Sequence, residues 1–553
     1  MSESDALHPT AASPVLTDAQ LARLLSYGTP QGIAVGDVLF RAGDETYDLV
    51  VIEEGTVEVV REATKDAPEA VVAVHGAGRF LGELNMLTGQ TVYLTARVTV
   101  AGRITRIRPE RFREIMATDP ELSAILLRTF EARRSLLMHS ASRSVEIIGT
   151  ETSAASLALR TFAARLAVPH LWFDAESVTG VALMTLAGVT ALDLPVVLLR
   201  DETLRGATPG ALSQHLGLSF REQEGETVDL TVIGGGPAGL AAAVYGASEG
   251  LNTVLLDAVA PGGQAAASSL IENYLGFPSG LSGADLTGRA AVQAQKFGAR
   301  LFSPCEVATL ESGGERLRVV LTDGTAFKTR AVVIATGARY RSLPLDRWDD
   351  FAGAGIYYAA TSLESRDLEH KPVAVLGGAN SAGQAALFLA SRECRVDLVI
   401  RAGDIATGMS NYLVERILAE PRIAVHTSTE ITALTGDASL EGITLSDRET
   451  GADRQATCSA LFCFIGAAPA TAWLSGLATD ADGFLRTDVR LTDDDLDGVW
   501  KSLGRDPLPF ETSVPAVFAA GDVRHGSMKR VAAAVGEGAS AVASVHIAIG
   551  ARV

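Results

Sequence analysis

At roughly 150 residues per domain, a chain of 553 residues predicts three or four domains, so a single fold is excluded. Apolar residues make up 47%, charged residues 20%, and the mean hydropathy is +0.21, which excludes a largely disordered chain. Lys and Arg number 47 against 66 Asp and Glu, a net charge of −19 that repels phosphate backbones and argues against nucleic acid as a partner.

The N-terminal MSESDALHPTAAS is acidic and polar, unlike a secretory signal, and predicts a cytoplasmic protein. The apolar stretch from Val181 carries Asp193 and Pro195 mid-run, so it reads as helix, turn and strand, and no membrane span is predicted. Cys305, Cys394, Cys458 and Cys463 are too scattered for a disulfide framework or a metal site, which predicts reduced thiols and no metal.

In chain order, Val35 to Val100 shows short β-type runs punctuated by Gly36, Gly43, Gly55, Gly78 and Gly82, the pattern of a small β-roll. A helical pattern from Pro109 to about Ala141 closes this block, with Phe112, Ile115, Met116, Leu122, Ile125, Leu126 and Phe130 at three- and four-residue spacings. From Ser144 to about Leu218 the order is β-α-β-α-β-β-α. A polar linker, SFREQEGET from Ser219, then leads into strands alternating with helices, which implies doubly wound parallel sheets.

The first strand-turn-helix unit of that region is VDLTVIGGGPAGLAAAVYGASEGLNTVLLD. Gly234, Gly236 and Gly239 follow a strand and open a helix, letting the backbone approach a pyrophosphate at the helix N-terminus. Asp257, 23 residues past Gly234, ends the next strand where a carboxylate can accept hydrogen bonds from ribose hydroxyls. The second unit, KPVAVLGGANSAGQAALFLASRECRVDLVIR, places Gly377, Ala379 and Ala382 at the corresponding positions. Its second strand ends in Arg401, and a guanidinium there suits the 2′-phosphate of NADP. Further on, the run VFAAGDV delivers Gly521 and Asp522 at a strand's carboxyl end, where ligands of open α/β sheets gather.

With GGGPAG, PGGQ at Pro261, IENYLGFP at Ile271, VVIATGA at Val332, GGANSAG, FCFIGAAP at Phe462 and AAGDV in this order, the chain from about Val228 resembles the low-molecular-weight thioredoxin reductases. The resemblance implies an FAD domain split between 228–344 and 503–553, an NADPH domain at 345–502, and Gln264, Asn273 and Asp522 along the flavin. In that family a Cys-x-x-Cys pair in the nicotinamide domain relays electrons to thioredoxin. The matching segment here, GAGIYYAATSLES, holds Ala359 and Ser362 at those positions, and neither side chain can form a thiolate. Cys458 and Cys463, five apart in an apparently extended run, are expected on opposite strand faces, and Cys305 and Cys394 read as packing residues.

The first block, 1–143, resembles a cyclic-nucleotide-binding domain through FRAGDETYDLVVIEEGTVEVV and GRFLGELNMLTGQTVYLTARV. Gly82, Glu83 and Leu84 would belong to its phosphate-binding cassette, with Glu83 reaching the ribose. The family's phosphate-pairing arginine is absent around Thr91, Val92 and Tyr93, and the next is Arg97, so a cyclic nucleotide is expected to bind weakly at most. No helix-turn-helix module follows, which argues against a transcription factor. The second block, 144–220, resembles the thioredoxin or glutaredoxin fold. Pro195 matches its usually cis proline, and its active-site loop, Thr150, Glu151, Thr152 and Ser153, lacks cysteine.

The expected fold is therefore multidomain: a β-roll, a thioredoxin-like α/β module and two Rossmann-like domains. The expected activity is an NADPH-dependent FAD oxidoreductase passing electrons directly to a small-molecule or small redox-protein acceptor, with a homodimer as its assembly and no catalytic residue assigned. Disulfide reduction by a non-standard route, or a flavin sensor without sustained turnover, are the alternatives.

Overall fold

The computed structural model describes residues 11–63, 68–140, 145–151, 153–200, 202–220, 227–268, 271, 273–312, 316–358, 360, 365, 368–496 and 498–550. The first module is an antiparallel roll in which Thr29–Ile33, Thr95–Ile107, Leu49–Arg61 and Ala70–Gly76 lie side by side, with Val38–Phe40 and Arg79–Leu81 added on its strands. It begins with a helix the sequence reading missed, Asp18–Leu25, opened by a reciprocal cap between Thr17 and Gln20. The helical run expected from Pro109 is two helices, Pro109–Thr118 and Pro120–Ser140. Asp119 between them is extended (φ −113°, ψ 93°), because a residue preceding proline is pushed out of the α region. Leu49, Phe80, Phe112, Leu122 and Phe130 fill the space between roll and helices.

The second module has a four-stranded sheet in the order Thr203–Leu204, Val196–Leu199, Val145–Gly149, Leu171–Asp174. Val145–Gly149 and the edge strand Leu171–Asp174 are parallel and the other two pairings are antiparallel. Leu194–Pro195 is cis, at the start of the Val196 strand. The helices Ala154–Arg165 and Pro209–His215 cover the sheet through Leu159, Phe162, Ala163, Leu212 and Leu216.

The third region holds two parallel sheets. In one, Arg300–Phe302, Thr253–Leu256, Val228–Ile233 and Ala326–Ile334 are parallel neighbours, Val517–Ala519 returns from far down the chain to pair with Ala326–Ile334, and two antiparallel strands extend the edge. In the other, Ile356–Tyr357, Ala460–Cys463, Pro372–Leu376, Arg395–Val399 and Ile423–His426 are all parallel. A two-stranded ribbon of Ala338–Tyr340 and Ala467–Pro469 carries both crossings between the two sheets.

The helix Val531–Ala548 is long and apolar enough to cross a membrane by length and composition, which the sequence reading did not flag. Here Ala534, Ala541, Val542 and Val545 sit in the core with Ala238 and Ala242 of the helix Pro237–Ser248. The approach is close: a Cβ on Gly538 would stand 2.0 Å from the Ala238 carbonyl oxygen. Backbone cannot give way as a side chain can, so Gly538→Ala is expected to cost ~1–3 kcal/mol of stability, read as a lowered thermal midpoint.

Candidate nucleotide sites

The turn after Val228–Ile233 is shaped by what a side chain would hit. Gly234 has φ +106°, and a Cβ there would lie 2.4 Å from the Ala335 carbonyl oxygen; a Cβ on Gly239 would lie 1.8 Å from the Gly234 oxygen. Gly236 caps the Pro237–Ser248 helix, and an added Cβ would find its nearest neighbour at 3.9 Å, the Gly263 Cα. The walls of the turn are thus closed and its mouth open, with the first-turn N–H groups lacking intrahelical partners. A pyrophosphate fits this cradle by shape and by charge.

Asp257 follows Thr253–Leu256 and reaches that turn, its Oδ2 accepting from the Gly235 N–H at 2.6 Å and its Oδ1 from the Val259 N–H at 2.9 Å. Burial raises its pKa, opposed by these backbone hydrogen bonds. A carboxylate offers about four acceptor positions, so both oxygens keep capacity for ribose hydroxyls. Gly521 (φ +77°) arrives from Val517–Ala519, and its Cβ would meet the Ala238 Cβ at 2.9 Å, which puts Gly521 and Asp522 at the same helix mouth. Burial also raises the Asp522 pKa, with Lys529 opposing and Glu537 reinforcing the shift.

Glu537 was missed in the sequence. Its carboxylate accepts from the Gly521 N–H at 2.8 Å and from Arg524 at 3.1 and 2.8 Å, pinning the turn that carries Asp522. A lone acid inside an alanine-rich helix was the available signal. Gln264 donates to the Ala338 carbonyl, tying its turn to the inter-domain ribbon. Asn273 lies exposed in a bend.

At the second site Gly377 has φ +145°, and its Cβ would lie 2.5 Å from the Phe464 oxygen. Ala379 is the exposed cap of Asn380–Ser391, and Ala382 is buried in that helix. Asn380 exchanges two hydrogen bonds with Ser410, at 3.0 and 2.7 Å, which anchors the helix start to the facing loop. Arg401 is exposed just past Arg395–Val399, with Arg448 donating to its carbonyl at 3.3 Å.

Ala359 and Ser362 lie outside the described residues, as does Thr152 of the cysteine-free loop. Between the first two, Ala360 bridges to Ser268, which ends the short helical turn Ala265–Ala267. All four cysteines are free and buried. Burial pushes Cys305 and Cys458 up to about 12 and Cys463 to about 11, and raises Cys394 as well. The opposite-face expectation for Cys458 and Cys463 fails: Cys458 precedes the strand Ala460–Cys463, so strand alternation does not reach it, and both thiols enter one core. Among the described residues no group of His, Cys, Asp and Glu could hold a metal ion.

Two glycine-turn nucleotide cradles on parallel sheets joined by one ribbon define a two-domain pyridine-nucleotide reductase architecture. Residues 228–538 match the family described as Pyridine nucleotide-disulphide oxidoreductase, and the chain belongs to it. Residues 31–119 match the Cyclic nucleotide-binding domain family. The thioredoxin reductase of Treponema pallidum is 33% identical over 315 residues, covering 57% of this chain and 94% of that protein. That of Streptomyces clavuligerus is 31% identical, covering 57% and 91%. The solved thioredoxin reductase of T. acidophilum is 27% identical with a TM-score of 0.52, covering 58% of this chain and 98% of its own.

Asp257→Ala is expected to speed FAD loss while the fold persists, checked by flavin fluorescence on dilution. Arg401→Ala is expected to erode preference for NADPH over NADH by roughly 1–3 kcal/mol, the scale of a hydrogen bond to a charged group, checked by kcat/KM for both nucleotides.

Proposed function

We propose that this chain is an NADPH-dependent FAD oxidoreductase that delivers electrons from flavin to a small-molecule or small redox-protein acceptor without a dithiol of its own. FAD, when bound, supplies two-electron redox chemistry that no side chain can. The turn Gly234–Gly239 holds its pyrophosphate, Asp257 its adenosine ribose, and Gln264, Asn273 and Asp522 lie along the flavin side. Gly377, Ala379 and Ala382 cradle NADPH, and Arg401 takes the 2′-phosphate. A cytoplasmic homodimer belongs to the same reading.

The observation that carries the proposal is the state of the cysteines. Each of the four is buried with its thiol pKa raised, whereas relay thiols need exposure and a lowered pKa. Positions 359 and 362, where the family resemblance places the relay pair, are alanine and serine.

Anaerobic titration should therefore consume one equivalent of NADPH per FAD and stop, and alkylation under native conditions should leave turnover nearly unchanged. Uptake of two equivalents, or loss of turnover on alkylation without unfolding, would make one of the four cysteines redox-active and overturn the direct route.

A further inference from the structure

The strongest unassigned feature lies where the first module resembles a nucleotide binder. Glu83 is held by Arg134 of the helix Pro120–Ser140, whose Nε and Nη2 both donate to its carboxylate, the second at 2.7 Å. The Arg134 side chain is 4% exposed and that of Glu83 12%. Arg134 Nη1 donates further to Gln90 Oε1 and to the Ala167 carbonyl, each at 2.9 Å. Gln90, itself 2% exposed, donates to the Leu166 carbonyl at 2.9 Å and accepts from the Tyr93 hydroxyl at 2.8 Å. The Thr91 N–H donates to the Leu216 carbonyl at 3.1 Å.

Leu166, Ala167 and Leu216 belong to the thioredoxin-like module, at the C-terminal ends of Ala154–Arg165 and Pro209–His215. A helix C-terminus presents unpaired carbonyls and the negative end of its dipole, the environment a buried guanidinium suits. The other basic residues near this segment are spent as well: Arg97 pairs with Glu58 and Glu69, and Arg133 caps the Ala12, Phe80 and Gly82 carbonyls. The same helix end also reaches the flavin domain: Ser213 Oγ donates to the Ser303 carbonyl at 2.7 Å, and Ala260 packs into the module's core beside Tyr93 and Leu94.

We propose that Gly82–Leu94 is a sealed joint rather than a ligand pocket: its occupant is the chain's own thioredoxin-like module, which it holds against the flavin-domain loop Asp257–Ala260. Glu83, the group that could grip a ribose, is committed to this contact through Arg134, and Arg97 and Arg133 are committed within the first module. The thioredoxin-like module, without cysteine, acts as a brace between roll and flavin domain, which also meet directly where Asn85–Thr88 and Pro109–Thr118 face Gly283–Lys296.

The test uses the full-length holoprotein. Calorimetric titration with cyclic AMP and with cyclic GMP should give no binding heat, and a micromolar or tighter dissociation constant for either overturns the sealed joint. In Arg134→Met, hydrogen exchange should quicken roughly tenfold in residues 89–93 and 163–168 while Leu49–Arg61 stays protected, as expected for opening of one interface rather than unfolding. FAD should also leave this variant faster. Exchange changes that stop within the roll, or FAD release at the wild-type rate, overturn the coupling to the flavin loop. Should Arg134→Met fail to fold, Gln90→Leu removes the bond to Leu166 without leaving a charge unpaired, and the same two readouts decide. None of these measures turnover, so the proposal stands or falls separately from the direct-flavin route.

Discussion

The close approach of backbone to backbone at Gly239 and Gly234 is the constraint on which the rest of the flavin domain depends. With only 1.8 Å between an added Cβ and the Gly234 oxygen, no other residue lets Pro237–Ser248 start where it does. The helix mouth therefore sits directly over the sheet's carboxyl edge, which is where Asp257 and Gly521 arrive from neighbouring strands. A second glycine contact, Gly538 on Ala238, brings Val531–Ala548 down on the same helix. That helix is then in register for Glu537 to hold the turn bearing Asp522. Two Cβ-free contacts thus bring Asp257 and Asp522 to one helix mouth.

The nicotinamide domain repeats the plan with one change. Gly377 still needs its positive φ and its clearance from the Phe464 oxygen, so the first glycine survives. The middle position has become Ala379, exposed at the cap, where a methyl meets solvent rather than backbone. Arg401 follows the second strand where Asp257 follows the first, so the two turns share geometry but differ in the sign of charge beside them.

Much of this was legible in the sequence because glycine fingerprints, strand-end acids and apolar periodicity are local. Gly234, Gly236, Gly239 and Asp257 come together as their spacing implies, and the order β-α-β-α-β-β-α holds from Val145 to His215. The break at Asp119 was equally local, but the apolar spacing runs through it and masked the proline. Long-range pairings were a different matter. Glu537 lies 16 residues from Gly521 and 13 from Arg524, and Arg134 lies 51 from Glu83, so no window-scale pattern announces either pair. Cys458 shows the limit of periodicity in another way: alternation predicts faces only within a strand, and the strand begins two residues later.

The pairing at Glu83 also bears on what a nucleotide would have to displace at Gly82–Leu94. Burial alone would lower the Arg134 pKa, and Glu83 more than offsets this, leaving a charged pair stable inside the interface. Removing one partner of such a buried pair costs ~3–5 kcal/mol, because the other charge is left uncompensated. A nucleotide competing for Glu83 would have to supply that energy before gaining any net affinity. At about 1.4 kcal/mol per decade this amounts to roughly two to four decades in the dissociation constant. Arg97, the next arginine along the segment, is already paired to Glu58 and Glu69. Glu83 is thus tied through Arg134 to Gln90 and to the Ala167 carbonyl, so one carboxylate anchors a contact that spans two modules.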